Sequence, residues 1–228
     1  MEERLYTFFG AIGGHSQEWI VLSHYVLVVL IILVIARLAT RKMTLVPTGT
    51  QNMMEAFIKG IISMGADAMG EKNARVYLPL IGTLALVIVL SNLIGVIPGF
   101  ESPTANINFT LALALIVFIY YNYLGIKKNG IIKYFAHFMG PNIYLAPLMF
   151  PIEIISHFSR IISLSFRLFG AIRGDDMFLM VLLMLVPYIV PLPAFFLLFA
   201  FGLLQAFIFS ILTYVYIAGS IMIEEEHD

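Results

Sequence analysis

Residues 148–186 have the sequence LMFPIEIISHFSRIISLSFRLFGAIRGDDMFLMVLLMLV, and residues 194–223 form a second long apolar segment. At 1.5 Å per residue, helices of these lengths would measure about 58 Å and about 45 Å, whereas the hydrocarbon core of a bilayer is about 30 Å thick. Both helices must therefore tilt strongly or lie partly along the membrane. Proline lacks a backbone donor and disfavours helix at the preceding residue, and three prolines lie between the segments: Pro187, Pro191 and Pro193. The pattern predicts a long, strongly tilted helical hairpin over residues 147–223.

Arg167 lies near the middle of the first segment, and a charge at that depth requires an explanation. A central charge on a membrane helix costs at least about 2.5–3.5 kcal/mol, and a guanidinium keeps its proton at physiological pH. No acidic residue lies three or four positions before or after Arg167 to pair with it on the same helix. The sequence therefore predicts that Arg167 is functional and meets an anionic or dipolar partner.

The composition excludes an ordinary soluble domain. The chain has 228 residues, of which 61% are hydrophobic and 12% are charged, and its mean hydropathy is +0.95. It has no cysteine, which excludes disulfides, thiolate metal sites and cysteine nucleophiles. The formal net charge of -1 gives no reason to expect a nucleic-acid partner, and no cofactor is expected. The predicted fold class is an all-α polytopic membrane protein.

The remainder of the chain supplies three more crossings and a surface helix. Residues 19–36 form an apolar run long enough to cross once, and residues 77–126 form a transmembrane hairpin with a turn-rich connection. Between them, residues 48–75 place apolar side chains at helical spacing among charges, which is typical of an amphipathic helix on the membrane surface. Together with the tilted hairpin, this gives about five membrane-crossing helices in a single domain over residues 1–228.

The basic residues set the expected orientation. Residues 37–75 and 127–137 hold nine of the thirteen lysines and arginines, whereas the connection between the second and third crossings carries one charge, Glu101. Under the positive-inside rule, the two basic segments lie in the cytoplasm. Residues 1–18 are then outside and, because they lack a signal-peptide pattern, we expect them to be retained. After five crossings the acidic tail, residues 224–228, lies in the cytoplasm.

A polar stripe follows one face of the helix that carries Arg167. Its members are spaced by 3, 1, 3, 3 and 4 residues and are Glu153, Ser156, His157, Arg160, Ser163 and Arg167. A polar face cannot contact lipid, so it must face water or a protein partner. Two interpretations of Glu153, His157 and Arg160 stay open: an internal salt-bridge ladder and part of an ion path.

Asp175 and Asp176 follow Arg173 on the same helix. If Arg173 neutralises one carboxylate, the other is in excess, and at membrane depth it would need water or a proton, which makes it a candidate proton relay. At 100° per residue, Asp176 lies opposite Arg167 and Asp175 lies closer to the arginine. Gln205, the amide in the last apolar segment, is either a helix-packing hydrogen-bond donor or a neighbour of Arg167.

Five segments of the chain resemble the subunit a family of F-type ATP synthases. They are SLSFRLFG at 163–170, PIEIISH at 151–157, SNLIGVIPG at 91–99, PTANIN at 103–108 and QAFIF at 205–209. The Glu-Glu-His ending adds to the likeness, which covers nearly the whole chain from about residue 20. The resemblance implies a stator subunit that carries an ion, expected to be a proton, to and from a rotating ring of c subunits. Sodium stays the alternative, since that choice depends mainly on the ring.

The resemblance also implies roles for particular residues. Arg167 matches the essential arginine that faces the ring carboxylate between two offset aqueous half-channels. Glu153, Ser163 and Gln205 match polar positions that line this region. Asp176 matches the acidic or histidine position of one half-channel.

Departures from the family pattern keep the choice of relay acid open. Leu198 stands where some members carry a histidine or acid complementary to the half-channel acid, Ala171 replaces an asparagine, and Ile161 replaces a proline. Asp175 is therefore a second relay candidate. His157, which lies on the polar stripe, is counted among the ion-translocation residues.

The family resemblance implies assembly and location as well. The chain itself would have no catalytic role, and its partners would be the c-subunit ring, the peripheral-stalk b subunits, the remainder of the ATP synthase and the lipid bilayer. The expected location is the inner (plasma) membrane of a bacterium.

Two other functions compete with this interpretation. A secondary proton or ion transporter would use the polar stripe as its own pathway, but the sequence has no detectable inverted repeat, the usual architecture of such proteins. An intramembrane hydrolase using Glu153 and His157 is disfavoured because the chain lacks the His-Glu-x-x-His and Gly-x-Ser-x-Gly patterns.

Overall fold

The computed structural model describes residues 8, 17–41, 43–47, 49–130, 134, 146–185 and 191–221. Within these ranges the chain forms six α-helices and a 3₁₀ turn at Pro103–Ala105, without strands. The helices are α1 (Gln17–Thr40), α2 (Thr50–Met69), α3 (Glu71–Val96), α4 (Ile107–Asn129), α5 (Ala146–Leu185) and α6 (Pro191–Ile221). The all-α prediction is confirmed. Pro187, the acidic tail and most of the N-terminal segment lie outside the described residues.

Four described helices are long and apolar enough to cross a membrane: α1, α3, α4 and α6. Helix α5 has 40 residues and is therefore about 60 Å long, but it carries six charged side chains and is less apolar than the other four. These lengths and compositions confirm a polytopic membrane protein whose last two helices are the longest of those described.

The predicted surface helix over residues 48–75 is shorter than expected. Helix α2 ends at Met69, because Gly70 adopts φ 79° and ψ 152°, a conformation that strains other residues and turns the chain. Residues 71–75 instead form the first turns of the crossing helix α3, where the Arg75 guanidinium pairs with the Glu71 carboxylate at 2.7 Å.

The prolines of the hairpin also behave differently from the prediction. Helix α6 was expected to begin at residue 194, but Pro191 is its first residue and Pro193 lies in its first turn. Proline is tolerated there because the first backbone N–H groups of a helix have no acceptor within it. Only residues 186–190 remain to connect α5 and α6.

The core lies where α3 and α6 pack against each other, with α2 and α4 beside them. Its most buried apolar side chains, at most 1% exposed, include Ile81, Ile88, Leu168, Phe209 and Ile217. Two amides join helices that are distant in sequence: Asn92 Nδ2 donates to the Gly202 carbonyl at 2.8 Å, and Asn129 Nδ2 donates to the Ser220 carbonyl at 3.0 Å. Such interhelical hydrogen bonds help to hold a bundle together in lipid. Helix α5 packs on α4 and α6 and presents its other side outward.

Candidate functional site

Arg167 lies on the side of α5 that points away from the bundle. The opposite side packs inward through Leu164, Ser165 and Leu168, each at most 2% exposed, and Ser165 Oγ lies 3.1 Å from Thr110 Oγ1 of α4. The Arg167 side chain is exposed and, within the described part of the chain, makes no hydrogen bond or ion pair. A permanent cation is thus presented outward.

Three of the residues around Arg167 on this side of α5 are small. Ser163, Gly170 and Gly174 are exposed, and a Cβ added at either glycine would meet no described atom within 4 Å. We call Ser163, Arg167, Gly170 and Gly174 the arginine face. Small residues allow another helix to approach closely, so the arginine face suits a partner helix that carries an anionic group.

A second group of charges lies about two to four turns earlier on α5. Glu153 Oε1 is 3.9 Å from Arg160 Nη2 and 4.0 Å from His157 Nδ1, and the Arg160 guanidinium lies over the Tyr216 ring of α6, 5.5 Å from its centroid. These distances fit the salt-bridge ladder, one of the two interpretations of the sequence, in which His157 takes part as an ion only when it is protonated. The ladder does not include Arg167, so the polar stripe divides into two separate sites.

Tyr134 connects this group to α4. Its hydroxyl donates to Asn122 Oδ1 at 2.7 Å and lies 3.3 Å from His157 Nε2. Burial raises the pKa of the Tyr134 phenol, and the Arg160 guanidinium acts in the opposite direction. The phenol therefore keeps its proton at neutral pH and can donate. We call Glu153, His157, Arg160 and Tyr134 the Glu153 cluster.

At the other end of α5, Asp175 and Asp176 line a small cavity with Asn92, Ser102 and Leu198. Both carboxylates are half-buried. We call this space the aspartate cavity. Leu198 places an apolar side chain beside the two acids, so neither carboxylate receives a hydrogen bond or a charge from that position of α6.

Arg173 does not pair with either aspartate within the described residues, so the neutralisation considered from the sequence is absent there. Among the described residues no ion pair joins them, and the exposed Arg173 side chain instead lines a neighbouring cavity. That cavity has a volume of about 70 Å³ and is also lined by His24, Glu101, Ser102 and Asn106. Because one ordered water needs about 10–15 Å³, the space is large enough for water.

A chain of buried hydrogen bonds forms the wall between the cavities and the helix bundle. Ser102 Oγ donates to the Ser91 carbonyl at 2.9 Å and lies 2.6 Å from Thr104 Oγ1, whose hydroxyl donates to Asn92 Oδ1 at 2.6 Å. Since Asn92 also donates to Gly202, the connection after α3 is fixed to both α3 and α6. This fixes Ser102 where the two cavities meet.

Gln205 is buried, with 5% of its surface exposed, and its Nε2 has no hydrogen-bond partner within the described residues. No hydrogen bond joins Gln205 to Arg167 there, so their proximity stays a prediction.

Sequence reasoning gave no role to Asn92, Ser102, His24 or Glu101. Two of them carried a usable signal. Asn92 is an amide in an apolar crossing, as Gln205 is, and Glu101 is the single charge of its connection.

Comparisons with known proteins agree with the resemblance seen in the sequence. The family described as ATP synthase A chain matches residues 21–218. The chain is 80% identical to ATP synthase subunit a of Aliarcobacter butzleri (strain RM4018), over 100% of both chains. It is 62% identical to the protein of the same name from Campylobacter fetus subsp. fetus (strain 82-40), over 93% of this chain and 95% of that one. A third such protein, from Helicobacter hepaticus (strain ATCC 51449 / 3B1), is 58% identical over 100% of both chains.

Proposed function

Because this chain belongs to the ATP synthase A chain family, we propose that it is the proton-carrying stator subunit of a rotary ATP synthase. In this role it is a multi-pass subunit of a bacterial membrane complex and performs no ATP chemistry itself. The observation that carries the proposal is Arg167, a charged side chain presented outward from a long membrane helix without a partner among the described residues.

The partner of Arg167 is a carboxylate on the c-subunit ring. A carboxyl group crosses lipid in its neutral form, because a buried charge is heavily penalised, and it releases its proton where a cation and water stabilise the anion. Arg167 supplies that cation. The glycines of the arginine face let a ring helix come close enough for the two charges to meet.

Two groups of polar residues provide the aqueous paths on either side of Arg167. The aspartate cavity serves one path, and the Glu153 cluster, with His157, serves the other. From His157 to Asp175 is 18 residues, so the two sites are about 27 Å apart along α5 with Arg167 between them. Ser163 and Gln205 line the region near the arginine.

The fixed charge of Arg167 also prevents a direct leak. A proton moving straight from one path to the other would have to pass a permanent cation, so transport requires rotation of the ring. Each charge that moves down about 100 mV supplies roughly 2.3 kcal/mol, and the rotor sums several such steps per ATP.

The proposed role also implies an assembly. The c-ring docks on the arginine face, the peripheral-stalk b subunits and the rest of the synthase hold the chain still, and lipid covers the apolar surface that remains. The N-terminus lies outside and the C-terminus in the cytoplasm.

The test is ATP-driven proton pumping by the whole complex in membrane vesicles, with passive leak recorded in parallel. We expect Arg167→Ala to reduce pumping to background while the complex still assembles. The matched control is Arg75→Ala, which removes an exposed arginine that pairs with Glu71 far from the arginine face. Pumping that survives Arg167→Ala in an assembled complex would contradict the proposal.

A further inference from the structure

Glu101 is the charged residue of the α3–α4 connection. A histidine of α1 holds its backbone in place. The His24 ring, 1% exposed, accepts a hydrogen bond from the Glu101 backbone N–H at Nε2 (3.0 Å) and donates from Nδ1 to the Ile20 carbonyl at 2.7 Å. These two bonds define one neutral tautomer of His24. His24, itself hydrogen-bonded to Ile20 of α1, therefore holds the backbone of Glu101 in place, while the Glu101 side chain is exposed.

Glu101 and the two aspartates line neighbouring cavities. Glu101 lines the 70 Å³ cavity with Arg173, and this cavity shares Ser102 with the aspartate cavity. Glu101, Arg173 and Asp175 all act electrostatically on the Asp176 carboxyl. The common lining residue, and the charges that interact across it, are the basis for treating the two cavities as parts of one path.

We propose that Glu101 collects protons from solvent at the mouth of the path that ends at Asp176. The proposal rests on the proposed function and adds a residue to it. A hydronium ion protonates the Glu101 carboxylate and leaves as water. The proton then passes through water in the cavity, beside the Ser102 hydroxyl, to the Asp176 carboxylate. Glu101 is again an anion, and Asp176 is a neutral acid that passes the proton to the ring.

The groups around Glu101 favour this role. His24 and Tyr25 face it from α1, Arg173 faces it from α5, and Asp175 and Asp176 lie beyond Ser102. One guanidinium, that of Arg173, stands against three carboxylates around the two cavities, so an excess of negative charge attracts cations. Because a focused charge raises the encounter rate of an oppositely charged species, Glu101 matters most where protons are scarce.

The experiment uses the whole synthase in liposomes, with the nucleotide sites outside and the lumen in place of the bacterial exterior. ATP synthesis is driven at a fixed membrane potential while the lumenal pH is varied. For Glu101→Gln we expect synthesis to fall by at least about tenfold with an alkaline lumen, the lower end of the gain from charge focusing, and to approach wild type with an acidic lumen. Glu101→Asp should restore most of the rate. Glu71→Gln, an exposed acid of α3 that lines neither cavity, should follow wild type throughout.

Two results would overturn the inference. One is a Glu101→Gln rate equal to wild type at every lumenal pH. The other is an equal loss at every lumenal pH in both Glu101 variants with the complex assembled, which indicates a structural residue. Arg167→Ala is measured in the same assay. Wild-type synthesis by that variant would refute the proposed function, whatever the Glu101 variants show.

Discussion

Asp175 and Asp176 are adjacent, yet their electrostatic surroundings differ. Burial is the largest influence on both carboxyls, and the charges of Arg173, Glu101 and Asp175 act in addition on Asp176. A relay acid must exchange its proton with groups on both sides, so coupling to neighbouring charges distinguishes it from a bystander. This favours Asp176 as the relay acid of the aspartate cavity.

The paired substitutions Asp176→Asn and Asp175→Asn separate the two candidates. We expect Asp176→Asn to lower proton pumping by at least about tenfold, because a positioned proton-transfer group contributes about 10²–10⁴-fold. Asp175→Asn should retain most of the rate, since its amide preserves the side-chain volume and leaves Asp176 in place. Pumping rates in vesicles, normalised to the amount of assembled complex, provide the measurement. The reverse order of the two effects would reassign the relay to Asp175.

At the scale of helices, Gly65 determines how closely α2 approaches its neighbours. A Cβ at this position would lie 2.5 Å from the Tyr214 ring of α6 and 2.8 Å from the Ala74 Cβ of α3. Both distances are shorter than van der Waals contact. The amphipathic helix is therefore held against the bundle by backbone contact that only glycine permits.

Gly65→Ala should consequently destabilise the protein. Overpacking typically costs about 1–3 kcal/mol, and here the obstacles are a buried ring and a helix backbone that cannot move independently. Gly60→Ala on the same helix is the matched control, because its Cβ would meet no described atom within 4 Å and alanine favours helix by about 1 kcal/mol. Thermal unfolding of the purified complex should show a lower transition temperature for Gly65→Ala and an unchanged or higher one for Gly60→Ala. Equal transition temperatures would mean that α2 does not pack as described.

Local sequence patterns were sufficient to predict these helices. They did not predict features that depend on contacts between residues far apart in the sequence. The length of the apolar runs was enough to predict the crossing helices. Arg167 was identified as functional because no acidic residue lies three or four positions away to pair with it. The end of α2 at Gly70 depends on a backbone conformation that composition does not reveal. The hydrogen bonds of His24 to Glu101 and of Asn92 to Gly202 join residues 77 and 110 positions apart, and no periodicity predicts such pairs. The aspartate cavity could not be predicted for the same reason. Its lining residues come from α3, α5, α6 and the α3–α4 connection.

In the whole molecule, the candidate relay acids and the basic helix ends lie at opposite poles. Helix α4 begins next to Ser102 and the cavities, and ends at Lys127 and Lys128. Helix α5 runs in the other direction, from the Glu153 cluster to the aspartates. If the basic pole is cytoplasmic, the Glu101 and aspartate cavities open toward the outside. Orientation in the membrane therefore decides which of the two proposed paths takes up protons during ATP synthesis.

That orientation can be measured with two substitutions on a single helix. Asn108→Cys and Lys128→Cys place a thiol near each end of α4, and each is unique in the chain because the sequence has no cysteine. Both positions are exposed. We expect a membrane-impermeant maleimide to label Asn108→Cys in intact cells and Lys128→Cys only in inverted vesicles, since 20 residues of helix span about 30 Å. Labelling of both from one side would show that α4 does not cross. The reverse labelling pattern would mean that the protein has the opposite orientation in the membrane. Glu101 would then face the cytoplasm and could not collect protons from outside.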